Sequence, residues 1–411
     1  MSHPSAGRVA MVSEHASPLA GLGGPDAGGQ NVYVAQLARL LARRGHEVTV
    51  YTRRDSPRTP ERVTTPDGVR VVHVPAGPAA PIPKDELPPY MPEFGAWLAR
   101  EWQEWRPDVV HAHFWMSGTA ALAGARDLGV PVVQTYHALG TVKRRYQGAA
   151  DTSPSNRVSI ETAVGRACDA ILATCRDEVA ELLAMGLPRR NITVVPCGVD
   201  PEQFAPAPRG GRTRSGPRRL LTVGRLVPRK GFDRAIRVLS HVPDAELVIA
   251  GGPEPDLLFA EPEAERLLSI AQEHRVADRV TFLGGVGRDR MPHLMADADL
   301  VLSLPRYEPF GIVPVEAMAC GTPVVATAVG GQLDTVADGR TGVLVPPGDG
   351  DERRIGALIR DLLDDPERLA RYGSQGRRRV LDRYTWDRVA DGVTGVYGAV
   401  SSLPSLSGAV R

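Results

Sequence analysis

The chain is 411 residues long, past the length at which a single hydrophobic core keeps growing, so two domains are expected. Hydrophobic residues make up 42% and charged residues 24%, the balance of a soluble globular protein. The formal net charge of +1 gives no electrostatic ground for binding nucleic acid or an anionic membrane, and no apolar run nears the roughly 20 residues of a membrane-inserted helix.

The N-terminal segment lacks the apolar stretch of a secretory signal. Cys168, Cys175, Cys197 and Cys320 are scattered without a Cys-x-x-Cys pair, so a reduced, cytoplasmic setting is expected. Lys84, Lys143 and Lys230 are the only lysines among 49 basic residues. Each therefore stands where arginine, a planar fork rather than a point charge, has not replaced it.

Arg8 to Ser13 reads as a buried strand. A loop over His15 to Asp26 leads to Gly28-Gly29, and Gln30 to Arg44 shows helical periodicity through Val32, Val34, Leu37, Leu40 and Leu41. A glycine turn between strand and helix lets backbone N–H groups approach an anion, although a plain tight turn serves the same residues. Strands follow at Glu47 to Thr52 and Val69 to Val74, then a proline-rich loop holding Lys84, then an amphipathic helix over Phe94 to Trp105. Asp108 to His111 is a strand running into His111-Ala-His113-Phe114; the His-x-His spacing lacks a third metal ligand, and histidines at a strand end are the expected reading. Pro131 to Tyr136 is a strand with His137 and Ala138 just beyond its end. Residues 156 to 167, including Arg157 and Glu161, read as a helix, and strand, helix and strand at 169–174, 178–184 and 192–195 close this half.

Residues 201–217 are rich in proline, glycine and arginine and read as a linker. Arg219 to Val223 opens a second sheet, followed by Gly224-Arg225-Leu-Val-Pro-Arg-Lys230-Gly231. Arg225 and Lys230 bracket a strand-to-helix loop and could clamp a diphosphate; an exposed basic loop fits the spacing equally, and Arg229 between them reads as solvated. Strands at 246–250 and 279–283, a helix at 289–296 and a strand at Leu300 to Leu304 come next. A loop with Glu308, Phe310 and Gly311 leads into a helix from Ile312 that carries Glu316, and Val324 to Thr327 is a further strand. Gly330-Gly331 could open a helix whose N–H groups form another phosphate cradle. A strand at 342–345 and helices at 351–364, 366–383 and 386–400 end the pattern, and a disordered tail is expected over 401–411. Strand and helix alternate through both halves, which predicts two doubly wound α/β domains, 1–200 and 218–383.

Spacing alone does not separate a sugar-binding Glu308 and Glu316 from a helix cap and a solvated face. The whole strings do more. Glu308-Pro-Phe-Gly-Ile-Val-Pro-Val-Glu316 followed by Ala-Met-Ala-Cys-Gly-Thr-Pro resembles the E-x7-E signature of family-4 retaining glycosyltransferases. Gly24-Pro-Asp-Ala-Gly-Gly-Gln-Asn31 and Gly224 to Asp233 are similar to two further segments of that family, above all its sucrose-phosphate synthase and inositol-phosphate branch. The resemblance spans nearly the whole chain. It implies the GT-B architecture, two Rossmann-like domains facing across a cleft, with helix 386–400 packing back on the first.

The resemblance further implies transfer of a hexose or N-acetylhexosamine from a nucleoside diphosphate sugar, a UDP-sugar in preference, with retention at the anomeric carbon. On the donor side it assigns Glu316 to the ribose diol, Glu308 with the backbone of Phe310, Gly311 and Ile312 to sugar hydroxyls, and Arg225, Lys230 and the Gly29 amide to the diphosphate. His137 would contact the transferred sugar. Asn31, Lys84, His137 and Arg157 would face the acceptor, an inositol phosphate, sugar phosphate, cyclitol or aminocyclitol. Phe114 and Ala138 stand where the inositol-phosphate branch has a tyrosine and a threonine, so two hydroxyl donors to the acceptor phosphate are absent. Neither a metal nor a cofactor is implied, and a monomer or homodimer is expected. The alternatives are a GT-B phosphorylase, for which the second half offers only Lys230 as a pyridoxal anchor, a nucleotide-sugar epimerase, and a non-catalytic nucleotide-sugar-binding protein.

Overall fold

The computed structural model describes residues 7–19, 28–206 and 216–401. The first six residues, positions 20–27 of the glycine loop, most of the expected linker and the tail from 402 lie outside them. Two compact units emerge from the contacts. Among described residues the first comprises 7–19, 28–196 and 386–401, and the second 197–206 and 216–385.

The first unit begins with β1 (Arg8–Val12), whose last four residues are all buried, then α1 (Gly29–Arg43) and β2 (Glu47–Arg53). A short β3 (Arg62–Thr64) lies antiparallel on β4 (Arg70–Val74). Helix α2 (Met91–Glu104) buries Phe94, Leu98 and Trp102 and leads to β5 (Val109–His113). That strand runs two residues past the expected end, so both His111 and His113 belong to it. Then come α3 (Trp115–Ala125), β6 (Val132–Thr135), α4 (Gly140–Gln147), α5 (Arg157–Ala167), β7 (Ala170–Ala173), α6 (Arg176–Ala184) and β8 (Ile192–Val194). The sheet order is β3-β4-β2-β1-β5-β6-β7-β8, parallel throughout except for β3. Helix α3 gave no sequence signal because eight of its eleven residues are buried, so it has no polar face for the 3.6-residue period to mark. Helix α4 was masked by its run of basic residues.

The second unit runs β9 (Arg218–Val223), α7 (Phe232–Leu239), β10 (Ala245–Ala250), α8 (Pro262–Glu273), β11 (Val280–Gly284), α9 (Met291–Asp297) and β12 (Leu300–Ser303). It continues with α10 (Ile312–Ala319), β13 (Val324–Thr327), α11 (Gln332–Thr335), β14 (Gly342–Val345), α12 (Glu352–Leu363) and α13 (Pro366–Arg383). All six strands are parallel in the order β11-β10-β9-β12-β13-β14. Strands buried on both faces explain the uninterrupted apolar runs such as Leu300 to Leu302. One face packs Phe232, Ile236 and Leu239 of α7 with Ile359 and Leu362 of α12; the other packs Val315 and Met318 of α10 with Val380 of α13.

The last helix, α14 (Trp386–Ser401), belongs to the first unit. Its Tyr397 hydroxyl lies 2.8 Å from His111 Nδ1, and Arg44 bonds Asp387 and Asp391. Ser401 closes this helix rather than starting a disordered tail.

Candidate functional site

A doubly wound sheet leaves its crevice beyond the carboxyl ends of the strands, where the strand order reverses. In the first unit that point lies between β1 and β5, and in the second between β9 and β12.

In the second unit, β9 ends at Val223, and a single turn, Pro228–Lys230, precedes α7. Gly231 follows with φ 69°, and a Cβ there would sit 1.9 Å from the Leu304 carbonyl oxygen, so the turn is pressed against the end of β12. This contact brings the two strand-end loops together. Lys230 Nζ lies 2.6 Å from Glu308 Oε2. Burial pushes the Glu308 carboxyl up, but Lys230, Arg229 and the Gly311 N–H outweigh it and hold the group below its ordinary value. Burial lowers the Lys230 ammonium, helped by the charges of Arg229 and Arg225. Arg225, Lys230, Glu308 and Gly311 are therefore one cluster.

Arg229 is only partly solvated and is tied to its neighbours. Its Nη1 donates to the Tyr307 carbonyl at 2.8 Å and stands 3.7 Å from Glu308 Oε2, so it braces the loop that carries Glu308. The expected cradle at Gly330-Gly331 does not form. Helix α11 is one turn of four residues, and the N–H groups of residues 331–335 all donate to backbone carbonyls, Gly331 to that of Glu308 at 3.0 Å. A Cβ at Gly330 would lie 2.0 Å from the same carbonyl, so these glycines serve close backbone packing.

Gly311, at φ 86°, caps α10. The Phe310 ring packs edge-on against Tyr384. Glu316 sits one turn into α10, only 6% exposed, with Arg288 Nη2 3.3 Å from its Oε1. Burial pushes the Glu316 carboxyl up to about 7, with Arg288 opposing. The Arg288 guanidinium also lies over the Phe204 ring, 5.3 Å from its centre.

In the first unit, Gly29 is the first residue of α1, and a Cβ on Gly28 or Gly29 would meet no atom of the described residues within 4 Å. Asn31 is buried and already engaged: its Oδ1 accepts from the Gly28 N–H and its Nδ2 donates to the Ser17 carbonyl, both at 3.0 Å. His137 stands beyond β6 at φ 60°, stacked on His113 with His113 Nδ1 3.0 Å from His137 Nε2. Burial holds His137 down to about 3, so its imidazole is neutral at physiological pH. His113 is likewise pushed well down, and among the described residues no group of histidine, cysteine and acidic side chains is arranged to hold a metal.

Phe114, at φ 82° and buried, begins the segment after β5. The Lys84 ammonium lies 5.7 Å and the Arg157 guanidinium 5.0 Å from its ring centre. Arg157 is heavily committed: Nε to Glu161 at 2.7 Å, Nη1 to Ser153 at 3.1 Å and Nη2 to the Ala138 carbonyl at 2.8 Å. Lys84, Phe114, Arg157 and the Ala138 carbonyl are thus brought together.

Sequence reasoning passed over Arg288, which reaches Glu316, and the pair Glu14 and His15 at the end of β1. His15 packs edge-on against Phe114 with ring centres 5.0 Å apart, and its Nδ1 lies 2.5 Å from Glu14 Oε1. The criterion applied to His137, a histidine just past a strand end, would have found His15 as well.

Residues 27–203 match the domain described as Glycosyltransferase Family 4, and residues 206–379 match the domain described as Glycosyl transferases group 1. The chain is 39% identical over 409 residues to the D-inositol 3-phosphate glycosyltransferase of Xylanimonas cellulosilytica, covering 95% of this chain and 96% of that protein. It is 38% identical over 406 residues to D-inositol 3-phosphate glycosyltransferase 1 of Catenulispora acidiphila, covering 95% of each. The sucrose-phosphate synthase of Thermosynechococcus elongatus has the same fold, with a TM-score of 0.87 at 30% identity over 96% of this chain and 99% of that one. Anabaena HepE in complex with UDP shares the fold at a TM-score of 0.74 and 18% identity, over 95% of this chain and 100% of that one. Among the described residues no helix is long and apolar enough to cross a membrane.

Proposed function

The chain belongs to the glycosyltransferases that join a Family 4 domain to a group 1 domain in the GT-B fold, and from that membership we propose its substrates and the residues that handle them. The donor is a nucleoside diphosphate sugar, a UDP-hexose or UDP-N-acetylhexosamine in preference, held by the second unit. The observation that carries this reading is the Lys230–Glu308 pair where β9 and β12 end, a cation and a carboxylate at 2.6 Å on the edge of a nucleotide-binding type of crevice.

Arg225 and Lys230 receive the diphosphate. Negative charge on the diphosphate grows as the bond to the anomeric carbon breaks, so these cations act most strongly in the transition state. Glu308 and the Phe310–Ile312 backbone hold sugar hydroxyls, and ionised Glu316 accepts two hydrogen bonds from the ribose diol. Neutral His137 offers its imidazole to the transferred sugar. The acceptor hydroxyl attacks from the face that the diphosphate leaves. A donor phosphate oxygen takes its proton, which retains the anomeric configuration without a protein nucleophile. The positive charge that a metal would bring is already supplied by Arg225 and Lys230.

The acceptor is a phosphorylated cyclitol or sugar phosphate bound by the first unit, a reading supported by the names of the similar proteins and by Lys84 and Arg157 beside Phe114. A neutral or amino-bearing cyclitol is the competing acceptor. One observation favours it: Glu161 balances the charge of Arg157, and Phe114 and Ala138 contribute no hydroxyl.

Ligand-induced thermal shift against UDP-, GDP-, ADP- and TDP-sugars, each with and without inositol 1-phosphate or fructose 6-phosphate, tests the reading, since binding to the native state raises its stability. One nucleotide should raise Tm, and a phosphorylated acceptor should raise it further. No shift with any donor would overturn the donor assignment, and a donor shift that neither phosphorylated acceptor enlarges would transfer the acceptor to the neutral or amino cyclitols.

A further inference from the structure

His113 is the last residue of β5 and His137 the second residue past β6, and these two strands are paired neighbours. Their imidazoles meet across the strand ends, His113 Nδ1 to His137 Nε2 at 3.0 Å. Tyr33 of α1 packs on both rings, 5.7 Å from the centre of His113 and 5.2 Å from that of His137. His111 packs against His113 with ring centres 4.1 Å apart, but its own nitrogens are engaged elsewhere: Nδ1 lies 2.8 Å from the Tyr397 hydroxyl and Nε2 2.8 Å from the Thr135 hydroxyl.

The His113 side chain is sealed, and its second nitrogen, Nε2, is buried with no hydrogen-bond partner. His137 is part-buried, and Nδ1 is the nitrogen it has left over for a ligand. Burial holds both rings neutral. A hydrogen bond between two neutral imidazoles needs one donor and one acceptor, so the tautomer of each ring fixes that of the other. If His137 Nε2 donated, the His113 proton would sit on Nε2, and a buried N–H would stand without a partner. If His113 Nδ1 donates, only a lone pair stands unpartnered there. Orphaned N–H groups are the rarer of the two in folded proteins, so the surroundings select the second arrangement. It places the proton of His137 on Nδ1. The φ of 60° at His137 is a further sign that this ring is held for a purpose, since a residue with a Cβ keeps that conformation only where its neighbours enforce it.

We propose that His113 is a positioning residue whose Nδ1–H donates to His137 Nε2, which makes His137 Nδ1 a hydrogen-bond donor to an oxygen of the transferred sugar. The inference rests on the transferase reading above and deepens it, since it fixes what His137 offers. The ligand atom facing Nδ1 must be an acceptor, such as a hydroxyl oxygen, and not an ammonium or amide N–H. His137 orients the sugar through this bond and takes up no proton.

The first test is histidine-selective 15N NMR of the wild type, with the His137 signals assigned by their loss in H137Q. Couplings between ring nitrogens and ring carbon protons show which nitrogen carries the proton. The expected result is Nδ1; a proton on Nε2, or on both nitrogens at neutral pH, would overturn the proposal. The second test is steady-state transfer with the donor varied at saturating acceptor, for wild type, H113N and H113L, with the UDP-induced thermal shift recorded for each. The Asn amide nitrogen can stand near the place of Nδ1 and donate, whereas Leu cannot. H113L should lose roughly tenfold or more in kcat, the scale of one hydrogen bond, and its His137 should no longer hold the proton on Nδ1 alone. H113N should regain most of the rate and the wild-type tautomer, and both variants should keep the UDP-induced shift. An H113L with wild-type kcat would overturn the proposal, as would loss of the UDP-induced shift in both variants, which would mark a role in packing only. If H113L does not fold, the wild-type spectrum and H113N decide. A wild type that releases no nucleoside diphosphate from any UDP-sugar would reject the transferase reading, whereas the bond between His113 and His137 is still decided by the spectrum.

Discussion

Lys230 and Glu308 are 78 residues apart in sequence, yet Nζ and Oε2 meet at 2.6 Å because the Gly231 turn packs against the end of β12. In the absence of donor the two charges neutralise each other. On the proposed reading, a diphosphate entering beside Arg225 would give Lys230 a second anion and free Glu308 for sugar hydroxyls. Binding thus redistributes an existing ion pair rather than burying new uncompensated charge.

Lys230→Met should reduce transfer by about 100-fold or more, the scale of losing one preorganised charge contact to the transition state. It also leaves Glu308 without its nearest cation. The lowered Glu308 value contributes stability that is present above its ordinary value and lost as pH falls through the folded value. The variant should therefore lose less stability on acidification than wild type. Initial rates and Tm between pH 3 and pH 7 check both expectations, and wild-type turnover would refute the role of Lys230.

Gly231→Ala should lower both stability and activity, by roughly 1–3 kcal/mol in stability, because the position is left-handed and a Cβ would strike the Leu304 carbonyl. Denaturant unfolding and transfer rates measure the two effects. A variant as stable and active as wild type would show that the turn is looser than described.

Glu316 carries a pH signature. Its folded value, about 7, lies above the ordinary 4.5. Protonation therefore supports the folded state: that contribution is full below about pH 4.5 and is lost as pH rises through about 7. Ribose binding needs the carboxylate, so nucleotide-sugar affinity should rise over the same interval. Glu316→Gln should flatten both dependences and weaken donor binding by about 1.5–3 kcal/mol, the worth of hydrogen bonds to a charged group. Titration calorimetry with the donor at pH 6 and pH 8 reads this directly; equal affinities in wild type would contradict the assignment.

EDTA should leave transfer unchanged if, as proposed, Arg225 and Lys230 supply the positive charge to the leaving diphosphate. A rate that falls with chelator and returns with magnesium or manganese would show that these cations are insufficient.

Phe114→Tyr places a hydroxyl near Lys84 and Arg157. With a phosphorylated acceptor it should lower the acceptor KM several-fold, about 1 kcal/mol for one added hydrogen bond. With a neutral cyclitol it should have little effect, so the variant separates the two acceptor classes.

Much of the fold was legible because parallel strands buried on both faces leave unbroken apolar runs, and Leu300 to Leu302 or Val324 to Ala326 need no context to be read. Helix α3 was not legible, since a helix buried nearly all round shows no stripe. The donor cluster was half legible. Arg225, Lys230 and Glu308 in glycine- and proline-marked loops, and Glu316 on the helix that follows, were singled out by the family resemblance, whereas Arg229 and Arg288 gave no sign of their partners. Those contacts are set by how the β9, β11 and β12 loops come together, and sequence spacing does not encode that distance. Glu14 was invisible for the same reason, because Ser117 of α3, which donates to its carboxylate, meets it only in the fold.

The most direct measurement is nucleoside diphosphate release from a UDP-sugar, with and without inositol 1-phosphate or a related cyclitol, followed by NMR of the product's anomeric proton. The account predicts acceptor-dependent release and a product with the same anomeric configuration as the donor. Release that no acceptor stimulates, or a product of inverted configuration, would contradict it.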